Sequence, residues 1–288
     1  MDVFPSHGSR RTSVRLLALV CSLAAMLSLA ACGTSSSSTG LPQGPVLSVG
    51  VATDEPGLGL LHDGTYSGLD VTVARYVAQA LGYGSEQLVF VSVTVGGVAD
   101  ALDSGRADMV VTALPMDAGS DRGYDYAGPY LVASEGLMVR KRDVRSIADV
   151  GSLAGRRVCT VAGSGGAQGI SRRAPAAVVS QRSGYQKCLT ALLVGEADAV
   201  SGDDAVLSGL VADKGAGLLS MASGRFSRSL HAVAVRSGQS RLVAQIRRAL
   251  TAMVDDGSWR AAVDELVSST GYRRGTAIRR PTIDAYVG

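Results

Sequence analysis

The sequence predicts an α/β fold made of two similar halves, and three observations carry that prediction. Residues 101–110 recur 90 positions later as residues 191–200, with Ala, Leu, Gly, Ala, Asp and Val matching in place. Each copy reads as a helix ending on glycine (Gly105, Gly195), the residue that most readily adopts the left-handed closing conformation, followed at once by a short strand. Other strand-like runs precede both copies, so β and α alternate along the chain. Alternation of this kind implies parallel sheets with helices on both faces. Two such halves predict two lobes rather than one long sheet.

The elements follow in order. Arg10, Arg11 and Arg15 precede a 16-residue apolar stretch over 16–31, the form of an export signal and too short to cross ~30 Å of hydrocarbon. It ends in Leu29-Ala30-Ala31-Cys32-Gly33, similar to a bacterial lipobox, and a polar tether follows over 33–40. Cys32 is therefore the expected lipidation site, and the alternative is ordinary cleavage after Ala31. Removing 1–31 takes away three Arg and one Asp, so the charge falls from +3 to +1 over 257 residues. With Cys21 removed and Cys32 committed to lipid, only Cys159 and Cys188 remain, and export exposes them to oxidising conditions, so a disulfide is expected; two reduced core thiols are the alternative.

In the first half, strands are predicted over 46–52, 88–93 and 107–112, with helices over 71–81 and 97–104. In the second, strands over 157–161 and 197–201 flank a helix over 185–194. A further helix starts near Ala205, an apolar strand covers 232–235, and an amphipathic stretch covers 242–266. Trp259 on that stretch is expected in the core. His62 beside Asp63-Gly64 reads as a solvated turn, and His231 as a residue packed at a crossing between the halves. Arg273-Arg274 and Arg279-Arg280 make the tail mildly basic, and it reads as a solvated end.

Composition narrows the function. With 28 basic against 25 acidic residues there is no basic stripe for nucleic acid. Three His, far apart, and three Lys offer no metal cage and little catalytic material, so binding is favoured over catalysis and no cofactor is implied. In parallel sheets, ligands bind outside the carboxyl ends of strands. That places Thr112, Ala113 and the loop Ser201-Gly202-Asp203-Asp204 at a shared cleft. Asp54, after the first strand, is a ligand contact or a turn-former. The glycine loop 162–170, between a strand and a helix, presents backbone N–H groups suited to an anion.

These residues resemble the bacterial extracellular solute-binding proteins of family 3, the capture subunits of polar amino acid ABC importers, and most of all the glutamate-binding lipoproteins. The resemblance rests on Asp54-Glu55-Pro56-Gly57-Leu58-Gly59, Tyr66-Ser67-Gly68-Leu69-Asp70-Val71, Asp125-Tyr126-Ala127-Gly128-Pro129-Tyr130, Tyr185-Gln186-Lys187-Cys188, Asp203-Asp204-Ala205 and Met253-Val254-Asp255-Asp256-Gly257-Ser258-Trp259. It implies a two-lobed periplasmic-binding-protein-like fold (type II), each lobe a mainly parallel sheet flanked by helices, joined by two hinge crossings. The implied division is lobe 1 over 46–135, lobe 2 over 136–231, a return to lobe 1 over 232–270 and a tail over 271–288. It also implies a monomer that captures a small polar solute for an ABC permease and its ATPase, held to the membrane by its lipid anchor.

By the same resemblance Asp203 accepts the ligand ammonium, with a helix cap as its alternative role, and Ser164 and Gly165 hold the ligand carboxylate. Asp203→Ala is then expected to abolish ligand response with little effect on the ligand-free protein. The family's carboxylate-gripping Arg aligns with Ser120, and Arg122 is the candidate replacement. A polar pair of the glutamate-binding relatives falls on Gly97 and Val98, so glutamate is not implied. A ligand sensor serving a signalling partner is the alternative function, and an enzyme such as a dehydratase on the same fold is a third.

Overall fold

The computed structural model describes residues 1, 42, 44–115, 123–215, 217–273 and 278–286. β1 (Leu47–Val51) is followed by a small antiparallel meander, β2 (Asp54–Glu55), β3 (Gly59–His62) and β4 (Thr65–Ser67). Then come α1 (Leu69–Ala80), β5 (Leu88–Ser92), α2 (Val98–Asp103) and β6 (Met109–Pro115). The 17-residue β7 (Tyr124–Arg140) leads to β8 (Arg157–Val161), α3 (Gly166–Arg173), β9 (Val178–Arg182), α4 (Tyr185–Leu193), β10 (Ala199–Asp203), α5 (Asp204–Lys214) and β11 (Leu219–Met221). β12 (Ser227–Arg236) returns to the first lobe, which α6 (Ser240–Asp255), α7 (Ser258–Thr270) and β13 (Asp284–Tyr286) complete.

The repeated segment folds twice into the same unit. Gly105 and Gly195 take positive φ (71° and 84°), and the amides of Ala107 and Ala197 reach back to the carbonyls of Ala101 and Ala191, both at 3.0 Å. The matched acidic residue has the same task in both copies. Asp108 Oδ2 accepts from the Ser48 amide beside β1 (2.8 Å), and Asp198 Oδ2 accepts from the Arg157 amide at the start of β8 (3.0 Å). Asp198 also accepts from the Arg157 guanidinium, which draws its carboxyl down to about 2. The two strands begin at Met109 and Ala199, two residues later than expected, because Ala107 and Ala197 close the preceding turn.

Within each lobe the pairing is parallel: β1 with β5 and β6, and β8 with β9 and β10. The expectation of separate sheets is corrected. Hydrogen bonding runs unbroken in the order β5-β1-β6-β12-β7-β10-β8-β9, because β7 is long enough to serve both lobes. Its early residues pair with β12 and β13, and Glu135 to Val139 pair antiparallel with β10. α1 buries Leu69, Val71, Val73, Ala74, Val77 and Ala78 on one face, the apolar spacing seen in the sequence.

Cys159 of β8 and Cys188 of α4 form a disulfide with Cα atoms 5.5 Å apart, which pins that helix to its sheet. The amphipathic stretch is broken at Gly257 (φ 88°), giving α6 and α7 instead of one helix. Trp259 is buried, and its indole N–H donates to the Tyr130 carbonyl at 2.7 Å. The tail is not a solvated end: Ile278 and Ile283 are buried, β13 pairs with β7, and Arg280 pairs with Asp255. Its basic residues mask an apolar pattern that only the open edge of β7 gives a place to dock.

Candidate functional site

The carboxyl ends of the strands of one lobe meet those of the other. Gly96, after β5, lies against Ala162 and Gly163, after β8. A Cβ on Gly163 would fall 2.3 Å from the Gly96 Cα, and one on Gly96 would fall 2.9 Å from the Ala162 carbonyl oxygen. Nothing larger than glycine permits that approach. Beside it, Asp54 Oδ2 accepts from the Gln186 amide at 3.4 Å. The N-cap of α4 is Gly184, which has no side chain, so a carboxylate of the first lobe serves a helix N-terminus of the second.

The glycine loop forms one wall. Ser164 Oγ donates to the Val161 carbonyl (2.8 Å) and accepts from the Gly166 amide (3.4 Å). Gly165 caps α3 in the left-handed conformation and has no side chain of its own to accept from the first turn, where only the Gly166 amide meets Ser164 Oγ. Thr160 and Ser201 stand side by side in register near this turn, fully buried, and neither hydroxyl has a hydrogen-bond partner among the described residues. On β6, Thr112 is buried with its hydroxyl unpartnered, and Ala113 sits opposite His231.

Asp203 is more heavily engaged than the sequence suggested. Its Oδ1 accepts from the amides of Ala205 (2.8 Å) and Val206 (3.3 Å), capping α5, and its Oδ2 lies 3.2 Å from His231 Nε2. His231 Nδ1 stands 3.5 Å from Asp70 Oδ1, which also accepts from the Tyr130 hydroxyl at 2.8 Å. An imidazole at the crossing strand thus joins Asp70 of the first lobe to Asp203 of the second. Burial opposes its charge, but the two carboxylates outweigh burial and hold its pKa well above the ordinary value. Burial likewise opposes ionisation of Asp203, and the imidazolium outweighs it, so this carboxyl is lowered.

Asp204 accepts from the Ser134 amide (3.1 Å) and from Arg225 Nε (2.7 Å). Burial, reinforced by Asp203, still leaves its pKa raised. Glu55 is buried with Oε2 unpartnered, and burial together with Asp70 pushes its carboxyl well up. Sequence reasoning gave Glu55 and Asp70 no role. The available signal was two acidic residues next to apolar ones, Asp70 between Leu69 and Val71 above all. His62 is exposed, as expected. Cys32, Ser120 and Arg122 lie outside the described residues. Among the described residues no group of His, Cys, Asp and Glu could hold a metal ion.

Two α/β lobes, sharing one long crossing strand and meeting at their strand ends over polar groups, define a protein that closes around a small solute. The comparisons make this specific: the chain belongs to the bacterial extracellular solute-binding proteins, family 3, matched over residues 47–267. It is 31% identical over 213 residues to the glutamate-binding protein GluB of Corynebacterium glutamicum, covering 70% of this chain and 71% of that one. To the ABC transporter glutamine-binding protein GlnH of Bacillus subtilis it is 29% identical, over 84% and 93% of the two chains. Among solved structures, an ancestral arginine-binding protein bound to arginine has a TM-score of 0.71 at 26% identity, covering 78% of this chain and 99% of that one. Among the described residues no helix is long and apolar enough to cross a membrane.

Proposed function

We propose that the protein captures an amino acid in the cleft and delivers it to an ABC permease and its ATPase, as a monomer held outside the cell by lipid on Cys32. The carrying observation is the meeting of strand ends at Gly96 and Gly163, which encloses polar groups that the protein leaves unsatisfied. The lobes are those of the sequence reading, 46–135 with 232–270 and 136–231, crossing inside β7 and β12. In this reading the Ser164–Gly165 turn, at the positive end of α3, takes the ligand carboxylate. Thr112 and Ala113 form the facing wall, and Arg122 is the candidate cation for that carboxylate.

Asp203 takes the α-ammonium in addition to capping α5, since a carboxylate has about four acceptor positions. Asp54 closes the cleft by capping α4. The carboxylates here serve as acceptors and helix caps, and the relatives named above are binding proteins, both of which support capture rather than catalysis. Thermal-shift screening against the amino acids tests the reading. A ligand at a hundredfold its Kd stabilises by about 2.7 kcal/mol, and no shift with any amino acid would sink it.

A further inference from the structure

Glu55 stands in the interior with nothing to bind. It is 2% exposed, and neither carboxylate oxygen accepts a hydrogen bond from a described residue; Oε2 is itself fully enclosed. The charges acting on it are Asp70 from α1, Asp54 beside it on β2, Asp203 from β10 and, alone in being positive, His231 from β12. His231 is already shared between Asp203 and Asp70. β2 itself packs against α4 and α5 of the other lobe. The carboxylate therefore lies where the lobes meet, beside the proposed ammonium site.

A carboxylate withdrawn from water needs a cation or several hydrogen-bond donors, or else it holds a proton; no described residue donates to Glu55, and the one cation acting on it, His231, is already shared by Asp203 and Asp70. A partner that enters before the lobes close would meet it. An acidic solute would add a charge of the wrong sign to Glu55, Asp70 and Asp203. A guanidinium or ammonium group would complete the set, the guanidinium with a planar pair of donors that fits a carboxylate.

We propose that Glu55 is the counter-ion for a second cationic group on the solute, and that the protein selects basic amino acids over glutamine and glutamate. This rests on the amino-acid reading above and names the ligand class within it.

Isothermal titration of the purified protein with L-arginine, L-lysine, L-glutamine and L-glutamate tests it. Arginine or lysine is expected to bind at least about tenfold more tightly than glutamine. Glu55→Gln should weaken arginine binding more than glutamine binding and so lose that preference, and Glu55→Asp, which keeps the charge, should retain part of it. Glutamine or glutamate binding more tightly than both basic amino acids would overturn the proposal, as would unchanged arginine affinity in Glu55→Gln. Should that variant fail to fold, the selectivity of the unmutated protein decides. Binding of none of the four would overturn this proposal, and the amino-acid reading with it only if the thermal-shift screen of all amino acids is silent too; glutamine binding without basic preference removes only this one.

Discussion

His231 joins three elements through two carboxylates, and its protonation contributes to the stability of the ligand-free protein. Its pKa is raised in the fold, so its contribution is complete below the ordinary value near 6.5 and is lost as pH rises through the folded value. Asp203 is lowered, so its contribution is present above about 3.9 and is lost as pH falls through the folded value. The ligand-free protein should therefore be most stable between about pH 4 and 6.5, with Tm falling on the alkaline side. His231→Gln should flatten that fall; an unchanged pH profile in this variant would contradict the tie. Asp203→Ala removes a helix cap worth about 1 kcal/mol and strands the buried imidazole. Its ligand-free Tm should drop, contrary to the sequence expectation. Glu55 adds to the alkaline fall: its carboxyl is raised, so ionising it costs stability as pH climbs. Glu55→Gln should accordingly raise the ligand-free Tm above neutral pH, which differential scanning calorimetry would detect.

At the scale of elements, the contact between the loops after β5 and β8 is the seam that closes the cleft. Gly96→Ala places a methyl 2.9 Å from the Ala162 carbonyl oxygen, so the lobes cannot reach this arrangement, although each lobe keeps its own packing. The expected result is ligand affinity weakened about tenfold or more, with ligand-free Tm little changed. Equal affinities for the variant and the unmutated protein would show that the seam does not govern closure. The Cys159–Cys188 bridge spans 29 residues of sequence and ties α4 to β8. On the chain-entropy relation it contributes about 3–4 kcal/mol. Replacing both cysteines with Ser should lower Tm by about 6–16 °C for a domain of this size, measurable by calorimetry.

For the molecule as a whole, one sheet path through both lobes means that motion between them must be absorbed where β7 and β12 cross. The register between those strands shifts between His231 and Val233, the one irregularity in that ladder, and it falls beside the imidazole. A residue that senses both lobes electrostatically thus sits where the ladder is least regular. The anchor is tested separately, by mass spectrometry of the membrane fraction, which should show a diacylated Cys32 at the N-terminus. An unmodified soluble form beginning at Cys32 would remove the lipid from the account.

The repeat, the alternation of strands and helices, the glycine helix ends and the two cysteines were legible in the sequence, because each follows from local geometry or from a short list of partners. The matched Asp of the repeat could be seen but not explained until the start of the neighbouring strand appeared beside it. Glu55, Asp70 and His231 lie 15 to 176 positions apart in the chain, and no periodicity relates them. Whether a carboxylate has a partner depends on what the fold brings within 3–4 Å, and that distance is set by closure of two lobes rather than by spacing along the chain. Composition, with 28 basic against 25 acidic residues, gave no sign of a shortage of cations. Only the tertiary structure shows one, around the buried Glu55, where low dielectric turns an unpaired charge into a requirement on the ligand.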